Sequence, residues 1–127
     1  MVSTGLGSRG EAMRKKAFGE RRKKDTHPCI TDIAVFGWSL FARPGLDLKS
    51  RELCQIAALT CLKLFDAPMK VHLEGALNSG ASQTEIEEVI LQMAPYASIA
   101  ATRYAMETAH KVFAEHKPPT DLPGRTK

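Results

Sequence analysis

The chain lacks any apolar run long enough to cross a bilayer. Its longest, Ile56 to Leu62, is broken by Thr60 and stops at Lys63, well short of the ~20 residues that a spanning helix needs. A membrane protein is therefore excluded, and no apolar leader segment is expected at the start. Cysteine is scarce as well. Cys29, Cys54 and Cys61 are odd in number and none stands at C-x-x-C spacing, which argues against a disulfide framework and points to a reducing, cytoplasmic location. Period-two alternation of β-branched residues is missing, so no strands are expected. Also missing are a Gly-rich phosphate loop, an H-E-x-x-H helix, Cys/His zinc spacing and a G-x-S-x-G elbow, which removes the chemistries those motifs serve. No metal and no cofactor are expected.

What is present fits one ordinary domain. The 127 residues are 43% hydrophobic and 25% charged, near the globular average, so a largely disordered chain is excluded too. The net charge of +4 is unevenly placed: residues 1–24 carry eight Lys/Arg against two Glu, the tail 117–127 adds +2, and the body between them is −4. Nucleic-acid binding would have to rest on the basic run from Arg14 to Lys24. That run has almost no aromatic interleaving, and charge runs are mostly solvated faces, so nucleic acid is disfavoured as a partner. The expected organisation is a flexible start over 1–9, a single domain over 10–116, and a loose, proline-rich tail over 117–127.

Helical spacing recurs through the body, and the fold expected is all-α with about six helices. A basic, weakly amphipathic segment covers 10–24. A second helix carries Ile30, Ile33, Ala34, Gly37, Leu40 and Phe41 and ends before Pro44-Gly45. Asp47 can cap a long third helix bearing Leu53, Ile56, Ala57, Cys61 and Leu62, its stripe widened by Leu59 and Leu64. Such a broadly apolar helix belongs at the centre of a bundle, where Cys54 and Cys61, about 10 Å apart and beyond disulfide reach, are read as core filler. Pro68 suits the first turn of a fourth helix with Met69, Leu73, Ala76 and Leu77 buried and Gly80 as its stop. Ser82 and Glu85 form a capping box for a fifth helix with Ile86, Val89, Ile90 and Met93. Pro95 closes or kinks it. A sixth helix runs from about Ala97 to Glu115, with Ala101, Tyr104, Ala105, Thr108, Val112 and Phe113 on one side. Its small residues fit a bundle interior and a subunit contact equally well.

Six polar residues stand where they are expected to face inward or line a cleft: Arg43, Arg51, Glu52, Asp66, His72 and Tyr96. His72 lies between Met69 and Ala76 on the buried stripe, where an imidazole can exchange protons near neutrality if a partner fixes its tautomer. A satisfied core histidine is the plainer alternative. Glu52 is either a solvated helix terminus stabilised by the dipole or a group that orients an imidazole. Arg43 can hold a carboxylate bidentately or bond the carbonyls of its turn. Tyr96 can donate into a pocket, or pack with its hydroxyl in water.

At ARPGLDLKSREL (42–53) and VHLEGALNSGASQTEIEEVILQMAPYAS (71–98) the sequence resembles the carboxymuconolactone decarboxylase family of the AhpD-like superfamily, over about residues 10–115. The resemblance implies an all-α bundle around an antiparallel helical hairpin, assembled as a trimer or a hexamer, with 10–24 as its first helix. One branch of that superfamily reduces hydroperoxides through a C-x-x-C pair seven and four residues before the histidine that matches His72. Those positions are Phe65 and Pro68 here, so the peroxidase alternative lacks its thiols. The other branch decarboxylates 4-carboxymuconolactone to an enol-lactone in aromatic catabolism. By resemblance His72 and Glu52 would be catalytic, Glu52 matching a proton-relay glutamate with one extra residue between the two. Arg43 and Tyr96 would bind a small carboxylated substrate. Pro68 replaces a common acidic residue, and Ser98 and Ala100 replace the usual Gly and Pro. A non-catalytic oligomeric binding protein is the remaining alternative.

Overall fold

The computed structural model describes residues 39–118 together with Ala12 and Gly37. The basic run, the flexible start and nearly all of the tail expected from the sequence lie outside those residues, as does most of the second helix. Ala12, Gly37 and residues 39–41 are helical. The Arg43 N–H donates to the Leu40 carbonyl at 3.2 Å, ahead of the Pro44-Gly45 turn. Residues 39–46 belong to one compact unit and Asp47–Pro118 form a second.

The second unit holds five helices: α1 Leu48–Leu62, α2 Ala67–Asn78, α3 Gln83–Gln92, α4 Ala94–Ala97 and α5 Ile99–Glu115. Among the described residues there is no strand, so the all-α expectation holds. Local chemistry sets the helix ends. The Asp47 carboxylate accepts the Ser50 N–H at 3.0 Å. Ser82 and Glu85 form both halves of the capping box, which satisfies N–H groups that a helix start leaves orphaned. Pro68 stands in the first turn of α2. That helix closes on Gly80 (φ +94), with Ala81 N–H bonded to the Ala76 carbonyl and Gly80 N–H to that of Leu77, a Schellman arrangement that needs the left-handed backbone glycine supplies.

Helices α1 and α2 pack as a hairpin through the short turn at 63–66, and α5 packs on both α2 and α3. The core they share is Ile56, Leu59, Met69, Leu73, Ala76, Ile86, Ile90, Ala105, Ala109 and Val112. Burying each large aliphatic side chain of this set contributes about 1.5–3 kcal/mol. Ala105 and Ala109 are fully buried, which places those small residues of α5 inside the bundle and lets the helix come close to its neighbours.

Four expectations need correction. Cys54 is exposed and Cys61 only half-buried, because the face of α1 that turns inward carries Leu48, Glu52, Ile56, Leu59 and Thr60. Each cysteine is two residues from a member of that set and so lies across the helix. Leu62 and Leu64 are exposed at 66% and 48%: the helix stops at Lys63 in a left-handed turn (φ 58), and the stripe stops with it. Asp66 is exposed at the start of α2 and caps nothing. The last helix begins at Ile99, not Ala97, since Ser98 at φ 103 breaks the chain between α4 and α5. On that helix Tyr104 is exposed and stacks on Phe65 at a centroid separation of 6.1 Å.

Candidate active site

The α1–α2 hairpin brings an acid and an imidazole together in its interior. Glu52 projects from the first half of α1 and is fully buried (0% exposed). A carboxylate in that position is costly unless something compensates it. Its compensation is His72 on α2: Nδ1 of the ring lies 2.8 Å from Oε2 of Glu52, with the His72 side chain 20% exposed and the Glu52 side chain 0%. The acid is thus out of water while the imidazole is partly open to it.

This geometry assigns the ring nitrogens. With Glu52 ionised, Nδ1 carries its hydrogen and donates to Oε2, so proton exchange with another group would go through Nε2. A carboxylate bonded to one ring nitrogen fixes the orientation and tautomer of the ring, which an imidazole acting in proton transfer requires. Glu52 is therefore buried beside the imidazole and is not a solvated terminus, and His72 sits at the edge of the buried stripe.

The other residues singled out from sequence are placed differently. Arg43 is exposed in the loop ahead of Asp47, within the other compact unit. Arg51 is half-buried at the start of α1. Tyr96 on α4 is 77% exposed. Of the four site residues expected, the structure joins two, Glu52 and His72.

One residue of the site was missed. Gly75 is buried on α2, and a Cβ placed there would stand 2.6 Å from Oε1 of Glu52. The signal available in the sequence was a glycine in the interior of a helical pattern, which costs about 1 kcal/mol against alanine and calls for a packing reason.

The chain is an all-α bundle with a buried glutamate against a histidine on its hairpin, and sequence comparison gives its family. The model of the Carboxymuconolactone decarboxylase family matches residues 32–111, and the chain belongs to that family. It is 36% identical over 84 residues to the 4-carboxymuconolactone decarboxylase of Acinetobacter baylyi, a match covering 65% of this chain and 62% of that protein. It is 31% identical over 87 residues to a nitrosuccinic acid decarboxylase of Metarhizium robertsii, covering 68% and 60%. An uncharacterized 15.0 kDa protein of Paracoccus denitrificans is 38% identical over 76 residues, covering 59% and 57%. The match thus spans about three-fifths of the length of these relatives.

Proposed function

We propose that the protein is a decarboxylase of small carboxylated acids, with 4-carboxymuconolactone as the first substrate to try. The observation that carries this reading is the 2.8 Å contact between His72 Nδ1 and the fully buried Glu52. The names of two relatives support it, since both are decarboxylases. Those names differ in the acid consumed, which leaves the carboxylated lactone a choice to be tested.

The chemistry follows from the pair. The carbon–carbon bond to the substrate carboxylate breaks, carbon dioxide leaves, and the electron pair passes into the conjugated lactone carbonyl. His72, charged at Nε2 and steadied by Glu52 at Nδ1, returns a proton to carbon and gives the enol-lactone. The neutral imidazole then recovers its proton from water. Arg43 as a holder of the anionic group and Tyr96 as a hydrogen-bond donor to substrate belong to this proposal, as does a cytoplasmic homo-oligomer.

The peroxidase alternative is disfavoured, because Phe65 and Pro68 stand where that branch carries its thiols. The test is direct. Purified protein and its His72→Ala variant are incubated with 4-carboxymuconolactone while carbon dioxide release and lactone absorbance are followed. Turnover that disappears in the variant is expected. Equal turnover in both would remove His72 from the chemistry, and none in the wild type would remove the lactone as the substrate.

A further inference from the structure

Gly75 occupies the interior of α2, a position where alanine would ordinarily be the better residue. The reason it is glycine lies on the neighbouring helix. A Cβ at Gly75 would fall 2.6 Å from Oε1, 2.7 Å from Cδ and 3.0 Å from Oε2 of Glu52. All three atoms of the carboxylate group stand within 3.0 Å of that position, so the acid fills the space a Cβ would take.

Little else holds that end of the acid. Oε1 is buried and accepts no hydrogen bond among the described residues, while Oε2 is bonded to His72. Its seat is set by shape. Gly75 and His72 are three residues apart and share a face of α2, so one helix supplies both the floor under the carboxylate and the imidazole beside it.

We propose that Gly75 is a positioning residue for the acid–base pair: its missing side chain admits the Glu52 carboxylate to the one place from which Oε2 reaches His72 Nδ1. This rests on the reading of His72 as the proton-transferring group. A methyl group at position 75 pushes the carboxylate off its floor, and the bond to Nδ1 lengthens or breaks.

The experiment uses the full chain as wild type, Gly75→Ala, Glu52→Ala and the double variant. Imidazole nitrogen NMR spectra report whether His72 Nδ1 still carries the hydrogen donated to the acid. Kinetics with 4-carboxymuconolactone separate kcat from KM. Gly75→Ala is expected to lose the Nδ1–H signature and to lower kcat about tenfold to a hundredfold with KM little changed, the scale of a small misplacement of a reacting group. The melting temperature should reverse sign: Gly75→Ala lowers it in the wild-type background and raises it in the Glu52→Ala background, where the floor is vacant and the better helix former prevails. If Gly75→Ala fails to fold while the double variant folds, the clash with Glu52 is established. If both fail to fold, or if Gly75→Ala keeps the wild-type His72 spectrum and kcat, the proposal is overturned. A wild type inactive on the lactone would remove the proposed reaction, and the spectra and the stability cycle would still decide the role of Gly75.

Discussion

Glu52 and His72, twenty residues apart in sequence, meet at 2.8 Å across the α1–α2 hairpin, the acid wholly buried and the imidazole partly open to solvent. Burial on one side and exposure on the other gives the pair a direction. The acid has no surface open to water, and in the proposed reaction its influence on a substrate passes through the ring. An acid kept for stability alone would be a poor choice here, because desolvating a carboxylate costs more than a well-packed apolar side chain of similar size.

The first prediction separates those roles. Glu52→Gln keeps the shape and can still accept from Nδ1, but it removes the negative charge beside the ring. Decarboxylation by the variant is expected to fall by about 10²–10⁴, the usual contribution of a positioned acid–base group. The melting temperature should hold or rise, because an amide is cheaper to bury than a carboxylate. Carbon dioxide release and a thermal melt on the same sample decide it. A variant that melts earlier yet turns over normally would make Glu52 a structural acid.

The second concerns acid sensitivity. Glu85 accepts the Ser82 N–H at 2.8 Å and the Lys49 ammonium at 2.9 Å. The Ser82 backbone bond first, then Lys49, hold its carboxyl below the usual carboxylate range. Its pKa is therefore lower folded than unfolded. The stabilisation is whole above the unfolded value and drains as pH falls through the folded one. Lys49 is shifted upward by the same pair, so its share is lost only as pH climbs through its raised folded value. Melting temperatures measured from about pH 5 to about pH 3, spanning the ordinary carboxylate range, should fall less steeply for Glu85→Gln than for the wild type. Parallel curves would refute the assignment.

Much of this architecture was legible because it is local. Asp47, Pro68, Gly80, Ser82 and Glu85 punctuate the helices through bonds to residues a few positions away, and each does so in the structure. Which face of α1 turns inward was not legible in the same way. Its apolar residues run nearly all round, so only its neighbours select Glu52, Ile56 and Leu59 over Cys54, Cys61 and Leu62. The role of Gly75 depends on a carboxylate twenty-three positions earlier in the sequence, and no local pattern names that partner. His72 was recognisable from its place on a buried stripe, whereas Glu52 had two readings until the hairpin set it beside the ring.

Ser98 carries the last prediction. Its backbone lies at φ 103, ψ 155, a region essentially reserved for glycine, and a side chain there costs about 1–3 kcal/mol. Against that cost, Ser98 Oγ accepts the Ala101 N–H at 3.2 Å and caps α5. Glycine is nearly as good a cap, inferior to serine by only a few tenths of a kcal/mol. The strain outweighs the cap, and the family resemblance has glycine at this position. Ser98→Gly should stabilise the protein by ~1 kcal/mol or more, whereas Ser98→Ala, which keeps the strain and loses the cap, should destabilise it by ~1 kcal/mol. Denaturant titration of the three proteins gives the order directly. If Ser98→Gly melted below the wild type, the cap would be worth more than the strain, and serine would be the better residue for the turn from α4 into α5.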